Sequence, residues 1–193
     1  MPTVTQFYST QTTQLTKKRR KYLSSLALTQ HAVLVNGKAY TQFITARVAD
    51  QANAEKLPFT LRLAGDSLLM PLTLYGYIPA AQKTHLLDSL GPKRLESTFF
   101  CFGAAVGTKW TCLTSYSGTG RWNTITTQLR EIRRTAEGEV LYVIAFSEAY
   151  YGVSDYEFWR EFVLSRERGL VQMSGEGMIG GEQVYVRESK SAK

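Results

Sequence analysis

The chain has 193 residues, of which 44% are hydrophobic and 20% are charged, and its formal net charge at pH 7 is +7. These proportions are typical of a globular protein and exclude general disorder, which requires low hydrophobicity and high charge. The excess of 23 Lys and Arg over 16 Asp and Glu favours polyanionic partners such as nucleic acid or an anionic membrane surface. No stretch approaches the roughly 20 apolar residues that span a bilayer, so we expect no membrane span.

Residues 1–22 are predicted to form a flexible basic arm, because they are rich in Thr and Gln and offer little apolar surface to bury. The arm ends in five adjacent cations, Lys17, Lys18, Arg19, Arg20 and Lys21. Adjacent cations repel one another and stay exposed unless a polyanion neutralises them. We expect a single β-rich globular domain over residues 23–188 and a polar tail over residues 189–193.

Two β-hairpins are predicted after the arm. Alternating apolar residues flank Asn36-Gly37, the strongest short hairpin signal, and a second alternating pair of segments flanks Gly65-Asp66. Residues 79–90 follow as a short helix that begins at Pro79. Two aromatic and β-branched segments, Leu95–Val106 and Thr108–Tyr116, then predict a hairpin around Gly107.

The second half of the chain mixes strand and helix signals. Residues 123–134 are predicted to be a strand that passes into a helical turn, because Ile125, Leu129 and Ile132 have helical spacing. A turn at Glu137-Gly138 and a buried strand follow. Residues 154–168 are predicted to be a helix that begins at a Ser-x-x-Glu capping box and has a broad apolar face.

The predicted fold is therefore mainly β, of the α+β class, with an antiparallel β-barrel or sandwich and two helices. Two hairpins, a helix and further strands in that order suit a Greek-key barrel of the OB type, although one strand is left over.

Residues 109–134 are the candidate nucleic-acid site. Their cations are opposed by a single acid, Glu131, and aromatic residues lie between them, which is the combination that holds single strands by phosphate contacts and base stacking. The predicted binding residues of this stretch are Lys109, Trp110, Arg121, Trp122, Arg130, Arg133 and Arg134. The alternative interpretation is that Trp110 and Trp122 are core aromatics, the usual position of tryptophan.

No sequence pattern predicts an enzyme, a metal site or a cofactor. Cys101 and Cys112 are too few for a disulfide scaffold and lack the partners of a zinc site, and no phosphate-loop motif is present. Two reduced thiols favour a cytoplasmic setting, or a nuclear or virion-associated one in a eukaryotic or viral protein.

The leading functional hypothesis is a non-enzymatic protein that binds nucleic acid, preferably single strands. One alternative is a viral or phage structural protein, such as a coat, matrix or tail component, in which the basic arm packages nucleic acid and the domain forms a homo-oligomer. A further alternative is an inhibitor or adaptor that acts on a protein partner.

Overall fold

The computed structural model describes residues 3–11, 23–47, 50–72, 88, 95–116, 122–149, 159–176 and 182–187. Within these ranges the chain forms antiparallel β-strands. In chain order they are β1 (Thr3–Gln11), β2 (Leu23–Val35), β3 (Lys38–Arg47), β4 (Asp50–Ala64), β5 (Ser67–Pro71), β6 (Glu96–Cys101), β7 (Lys109–Tyr116), β8 (Trp122–Arg134), β9 (Val140–Ala149), β10 (Trp159–Ser165), β11 (Gly169–Glu176) and β12 (Glu182–Arg187).

The pairing of these strands follows their order along the chain. From one edge of the sheet to the other, the order is β6-β5-β4-β3-β2-β1-β12-β11-β10-β9-β8-β7. The prediction of a mainly β, antiparallel fold is confirmed. The Greek-key order of an OB barrel is wrong for the described strands, because each pairs with its neighbours in sequence and β1 pairs with β12.

Phenylalanine rings show that the sheet curls back on itself. The ring of Phe59 on β4 lies 4.8 Å from that of Phe162 on β10 and 6.1 Å from that of Phe146 on β9, although these strands are far apart in the pairing order. Phe99 on β6 joins the same cluster at 5.1 Å. Burial of these rings is the main source of stability, and it holds the two halves of the sheet face to face.

The sheet does not close into a barrel, because β6 and β7 form its two edges and share no hydrogen-bonded ladder within the described residues. The predicted hairpin around Gly107 is therefore wrong, since β6 pairs with β5 and β7 pairs with β8. Side chains bridge the gap instead. The Thr127 hydroxyl on β8 donates to the carbonyl of Phe99 at 2.5 Å, and the Cys112 thiol on β7 donates to that of Thr98 at 3.3 Å.

Three predicted turns are confirmed. Asn36 and Gly37 have φ values of 51° and 75°, so both adopt the left-handed conformation that a two-residue hairpin between β2 and β3 requires. Gly65-Asp66 connects β4 to β5, and Glu137-Gly138 lies in the turn between β8 and β9. In an antiparallel meander, turns that follow alternate strands lie at the same end of the sheet, so these three turns share one end.

The prediction of a flexible segment is wrong for residues 3–11, which form β1 and pair with β2 along one edge and β12 along the other. Their β-branched and aromatic residues suit a strand, and backbone hydrogen bonds on both sides stabilise it without a large apolar face. The basic run Lys17–Lys21, the predicted tail at residues 189–193 and most of the predicted helix at 79–90 lie outside the described residues, apart from helical Asp88.

The predicted helix at residues 154–168 is wrong over its described part. Residues 159–165 form β10, which pairs with β9 and β11 and leads into a turn that ends at Gly169. Phe162, Val163 and Leu164 are all buried, so the strand is covered on both faces. A strand that is covered on both faces lacks alternation, and its continuous apolar sequence therefore also fits a helical pattern.

The predicted helical turn at the end of residues 123–134 is also wrong, because β8 continues to Arg134. Burial alternates from Asn123 to Leu129, which pairs with Ile144. A β-bulge at Arg130 then adds one residue, so Ile132 pairs with Tyr142. The bulge returns Ile132 to the strand face of Leu129, and this explains an i, i+3 spacing that imitates a helix.

Candidate nucleic-acid interface

The predicted binding residues are distributed unevenly over the structure. Lys109 and Trp110 begin β7, whereas Arg130, Arg133 and Arg134 lie on the last five residues of β8. Trp122 begins β8 opposite Tyr116. Arg121, like Lys17–Lys21, lies outside the described residues. The structure therefore brings Lys109 and three arginines to adjacent strands.

Trp110 packs towards the core and does not share a strand face with Lys109. Its indole meets the ring of the buried Phe100 edge-on, with the ring centroids 5.5 Å apart, and it is only partly exposed. Consecutive residues of a strand point to opposite faces, so exposed Lys109 and half-buried Trp110 point apart. For Trp110 the contacts support the core interpretation, and base stacking by this residue stays a prediction.

The end of β8 continues beyond the last residue that pairs with β7. The pairing with β7 begins at Lys109 opposite Gln128, and the loop between β6 and β7 contacts the next residue of β8. There the Gly107 amide donates to the carbonyl of Leu129 at 2.7 Å, and the Leu129 amide donates to that of Thr108 at 3.0 Å. From Arg130 to Arg134 every side chain is exposed.

Alternation along this end of β8 separates two kinds of surface. Glu131 and Arg133 share one face, and their side chains form an exposed ion pair with Arg133 Nη2 2.8 Å from Glu131 Oε2. This hydrogen bond lowers the pKa of Glu131 and raises the pKa of Arg133. The other face carries Ile132, which is 42% exposed, and Arg134.

Lys109, Arg130 and Arg134 are the exposed cations of this region that form no ion pair with any carboxylate of the described part of the chain. We call these three residues the rim cations. A cation without a local carboxylate keeps its full attraction for an external anion, whereas the charge of Arg133 is largely offset by Glu131. The rim cations can therefore bind phosphate groups.

Sequence reasoning missed an ionic network around Glu96 at the start of β6. Glu96 accepts hydrogen bonds from Lys38 at 2.8 Å, from the Tyr40 hydroxyl at 2.5 Å and from Arg62 Nη2 at 2.6 Å, and Arg62 Nε donates to its other oxygen as well. The Glu96 side chain is only 14% exposed. We call these four residues the Glu96 cluster.

The charges of the Glu96 cluster stabilise one another. The Arg62 hydrogen bonds are the main cause that lowers the pKa of Glu96 to about 2, and Glu96 in turn raises the pKa of Arg62. Burial, followed by the hydrogen bond to Glu96, raises the pKa of Tyr40. The partners lie 34 to 58 positions from Glu96 in sequence, so only the strand register could have predicted them.

Other ion pairs connect turns at the end of the sheet where Asn36-Gly37, Gly65-Asp66 and Glu137-Gly138 lie. Arg168 binds Glu139 through two nitrogens, and the Ser165 hydroxyl also donates to Glu139 at 2.6 Å. Arg166 contacts Asp66 in the turn between β4 and β5 at 2.5 Å. These arginines hold neighbouring turns together, so they are less suited than the rim cations to bind an external phosphate.

Chemical groups for catalysis are sparse in the described ranges. No cluster of three or more His, Cys, Asp or Glu side chains there could hold a metal ion. Cys101 and Cys112 are not joined in a disulfide, and burial raises the pKa of the Cys112 thiol to about 12. That thiol is protonated at neutral pH and therefore a poor nucleophile.

No known family model matches the sequence, and no curated protein and no solved structure shows significant similarity to the chain. In the part of the chain that the structure describes, no helix is long and apolar enough to cross a membrane.

Proposed function

We propose that this protein binds nucleic acid without catalysing a reaction, and that the rim cations contact the phosphate backbone. The observation that carries the proposal is the difference between neighbouring arginines on β8. Arg133 is paired with Glu131, whereas Arg130 and Arg134 are exposed and have no carboxylate partner in the described ranges. Cations that serve only to hold a fold together are expected to have such partners.

The charge of the whole chain supports the same partner. The net charge of +7 attracts a polyanion over a distance of about 8 Å at physiological ionic strength. The run Lys17–Lys21 adds five cations that can displace counterions from any phosphate backbone. Both contributions are independent of base sequence, so we propose binding of low sequence specificity. The two thiols without a disulfide suit a reducing, cytoplasmic setting.

The test is a salt titration of binding to a fluorescently labelled oligonucleotide. The logarithm of the binding constant falls linearly with the logarithm of the salt concentration, by about 0.7 to 0.9 per phosphate contact. The double variant Arg130→Ala/Arg134→Ala should therefore bind more weakly and lower the slope by about 1.4 to 1.8. Arg133→Ala is the control for a lost side chain beside the same residues, and we expect its slope to stay unchanged.

Equal slopes for the wild-type protein and the double variant would contradict the assignment of the rim cations. A wild-type protein that binds neither single nor double strands at low salt would contradict nucleic-acid binding as a whole. In that case, a large symmetric assembly in size-exclusion chromatography would favour the structural-protein alternative.

A further inference from the structure

Two exposed apolar residues lie near the end of β8, where Arg130 and Arg134 are also exposed. Val106, in the loop between β6 and β7, is 55% exposed, and Ile132 on β8 is 42% exposed. The hydrogen bond from Gly107 to Leu129 places the loop that carries Val106 against β8, three residues before Ile132. Covering exposed aliphatic side chains with an apolar ligand surface is favourable, so these two residues together with a nearby exposed cation can contribute to a binding surface.

Resting on the proposed function, we propose that Val106 and Ile132 contact the faces of nucleic-acid bases, and that the bound form is consequently a single strand. Arg134 lies two residues beyond Ile132 on the same face of β8, so one exposed apolar side chain and one exposed cation are neighbours there. A single strand offers the matching pair of groups, since each nucleotide carries one charged phosphate and one base with an apolar face.

The residue that pairs with Ile132 is held in place by the aromatic core. Ile132 pairs with Tyr142, whose ring packs against Phe100 and Phe102 at centroid distances of 5.4 and 5.1 Å. Phe102 is in turn fixed by its amide, which donates to the carbonyl of Asp66 at 2.8 Å. A surface that is already ordered loses little conformational entropy when a ligand binds.

Charge and shape favour a single strand over other occupants. A duplex hides its base faces in the stack, so it would use the rim cations but leave Val106 and Ile132 in water. A second copy of this chain placed rim against rim would bring Lys109, Arg130 and Arg134 against their own equivalents, which repel. On an unstacked strand the bases can cover the apolar side chains while the phosphates form ion pairs with the cations.

The experiment separates the base contacts from the phosphate contacts. Binding is measured for two single strands of equal length and charge, one with normal bases and one with an abasic sugar–phosphate backbone. The proteins are the wild type, the double variant Val106→Ser/Ile132→Ser, and Leu34→Ser as matched control. Leu34 is a 78% exposed aliphatic residue at the end of β2, and its replacement removes a comparable side chain away from β8. Thermal unfolding verifies that each variant is folded.

We expect the wild-type protein to prefer the strand with bases by about five- to tenfold, which is what burying two half-exposed aliphatic side chains provides. The double variant should lose this preference while its affinity for the abasic strand stays unchanged, and Leu34→Ser should behave as the wild type. This pattern would establish the base contacts.

Equal wild-type affinity for the two strands would overturn the base contacts and leave phosphate binding by the rim cations intact. Tighter binding of a duplex than of either single strand would overturn them as well. Wild-type binding to vesicles of anionic lipid that is lost in Val106→Ser/Ile132→Ser would assign the surface to lipid and overturn the inference. Failure to bind both strands would overturn the proposed function itself.

Discussion

The Glu96 cluster and the end of β8 use cations in opposite ways. In the Glu96 cluster, Lys38 and Arg62 converge on one carboxylate that is 14% exposed, and Tyr40 donates to the same carboxylate. At the end of β8, Lys109, Arg130 and Arg134 are exposed and have no carboxylate partner within the described residues. Similar residue types therefore have different surroundings at the two places.

The difference teaches how cations for folding can be told from cations for binding. The guanidinium of Arg62 lies 5.8 Å from the centre of the Tyr40 ring and donates to both oxygens of Glu96, so it connects β3, β4 and β6. Arg134, in contrast, lies two residues beyond the exposed Ile132 at the end of a strand. Net charge counts the two arginines alike, whereas the geometry separates them.

The largest expected effect on stability belongs to Glu96. Glu96→Gln removes the charge that three donors share, and hydrogen bonds to a charged group contribute about 2 kcal/mol to the free energy of unfolding. We expect urea unfolding to show a loss of about this size. Glu131→Gln is the matched control, because its ion pair is solvent-exposed, and it should leave the urea midpoint unchanged. Equal midpoints for both variants would remove the distinction between the two regions.

Local sequence patterns predicted three of the turns correctly. The Asn36-Gly37 and Gly65-Asp66 hairpins and the turn at Glu137-Gly138 were all accessible, because each depends on a few adjacent residues and on a backbone conformation that glycine permits. The mainly β class followed from the same alternation. The predicted helix at 154–168 failed over β10 because burial on both faces removes the alternation that identifies a strand.

The pH dependence of stability should show the ionisation of the Glu96 carboxylate. Folding lowers the pKa of Glu96 from an ordinary value of 4.5 to about 2, so its contribution to stability is complete above pH 4.5 and is lost as pH falls through about 2. The difference in unfolding free energy between the wild type and Glu96→Gln should therefore shrink as pH falls from 5 towards 2. A difference that is constant over this range would show that Glu96 does not titrate as the geometry predicts.

Long-range pairing limited what the sequence could say about the site. Composition indicated the basic stretch at 109–134, but not that Glu131 would pair with Arg133 or that Trp110 would turn towards Phe100. Glu131 and Arg133 share a face only because β8 continues as a strand where the sequence predicted a helical turn, and the contact of Trp110 with Phe100 arises only when β6 and β7 are packed together. The Glu96 cluster was inaccessible because its partners come together only when β3, β4 and β6 are placed in register.

The smallest expected effect is a gain of binding. Glu131→Gln removes the partner of Arg133, so this guanidinium becomes available for a phosphate beside Arg130 and Arg134. We expect affinity for a single strand to rise about two- to fivefold and the salt slope to increase by about 0.7 to 0.9, the value of one additional contact.

Glu137→Gln provides the control for this gain, because it removes one negative charge from the adjacent turn. The Glu137 carboxylate is hydrogen-bonded by its own backbone and by Thr135, which lowers its pKa, and its removal should release no arginine. A fluorescence titration of both variants at several salt concentrations makes the comparison. If Glu137→Gln raises affinity and slope as much as Glu131→Gln, then total charge governs binding and the pairing of Arg133 is irrelevant. If only Glu131→Gln does so, the end of β8 binds phosphate through individual guanidinium groups, and their pairing with nearby carboxylates sets its affinity.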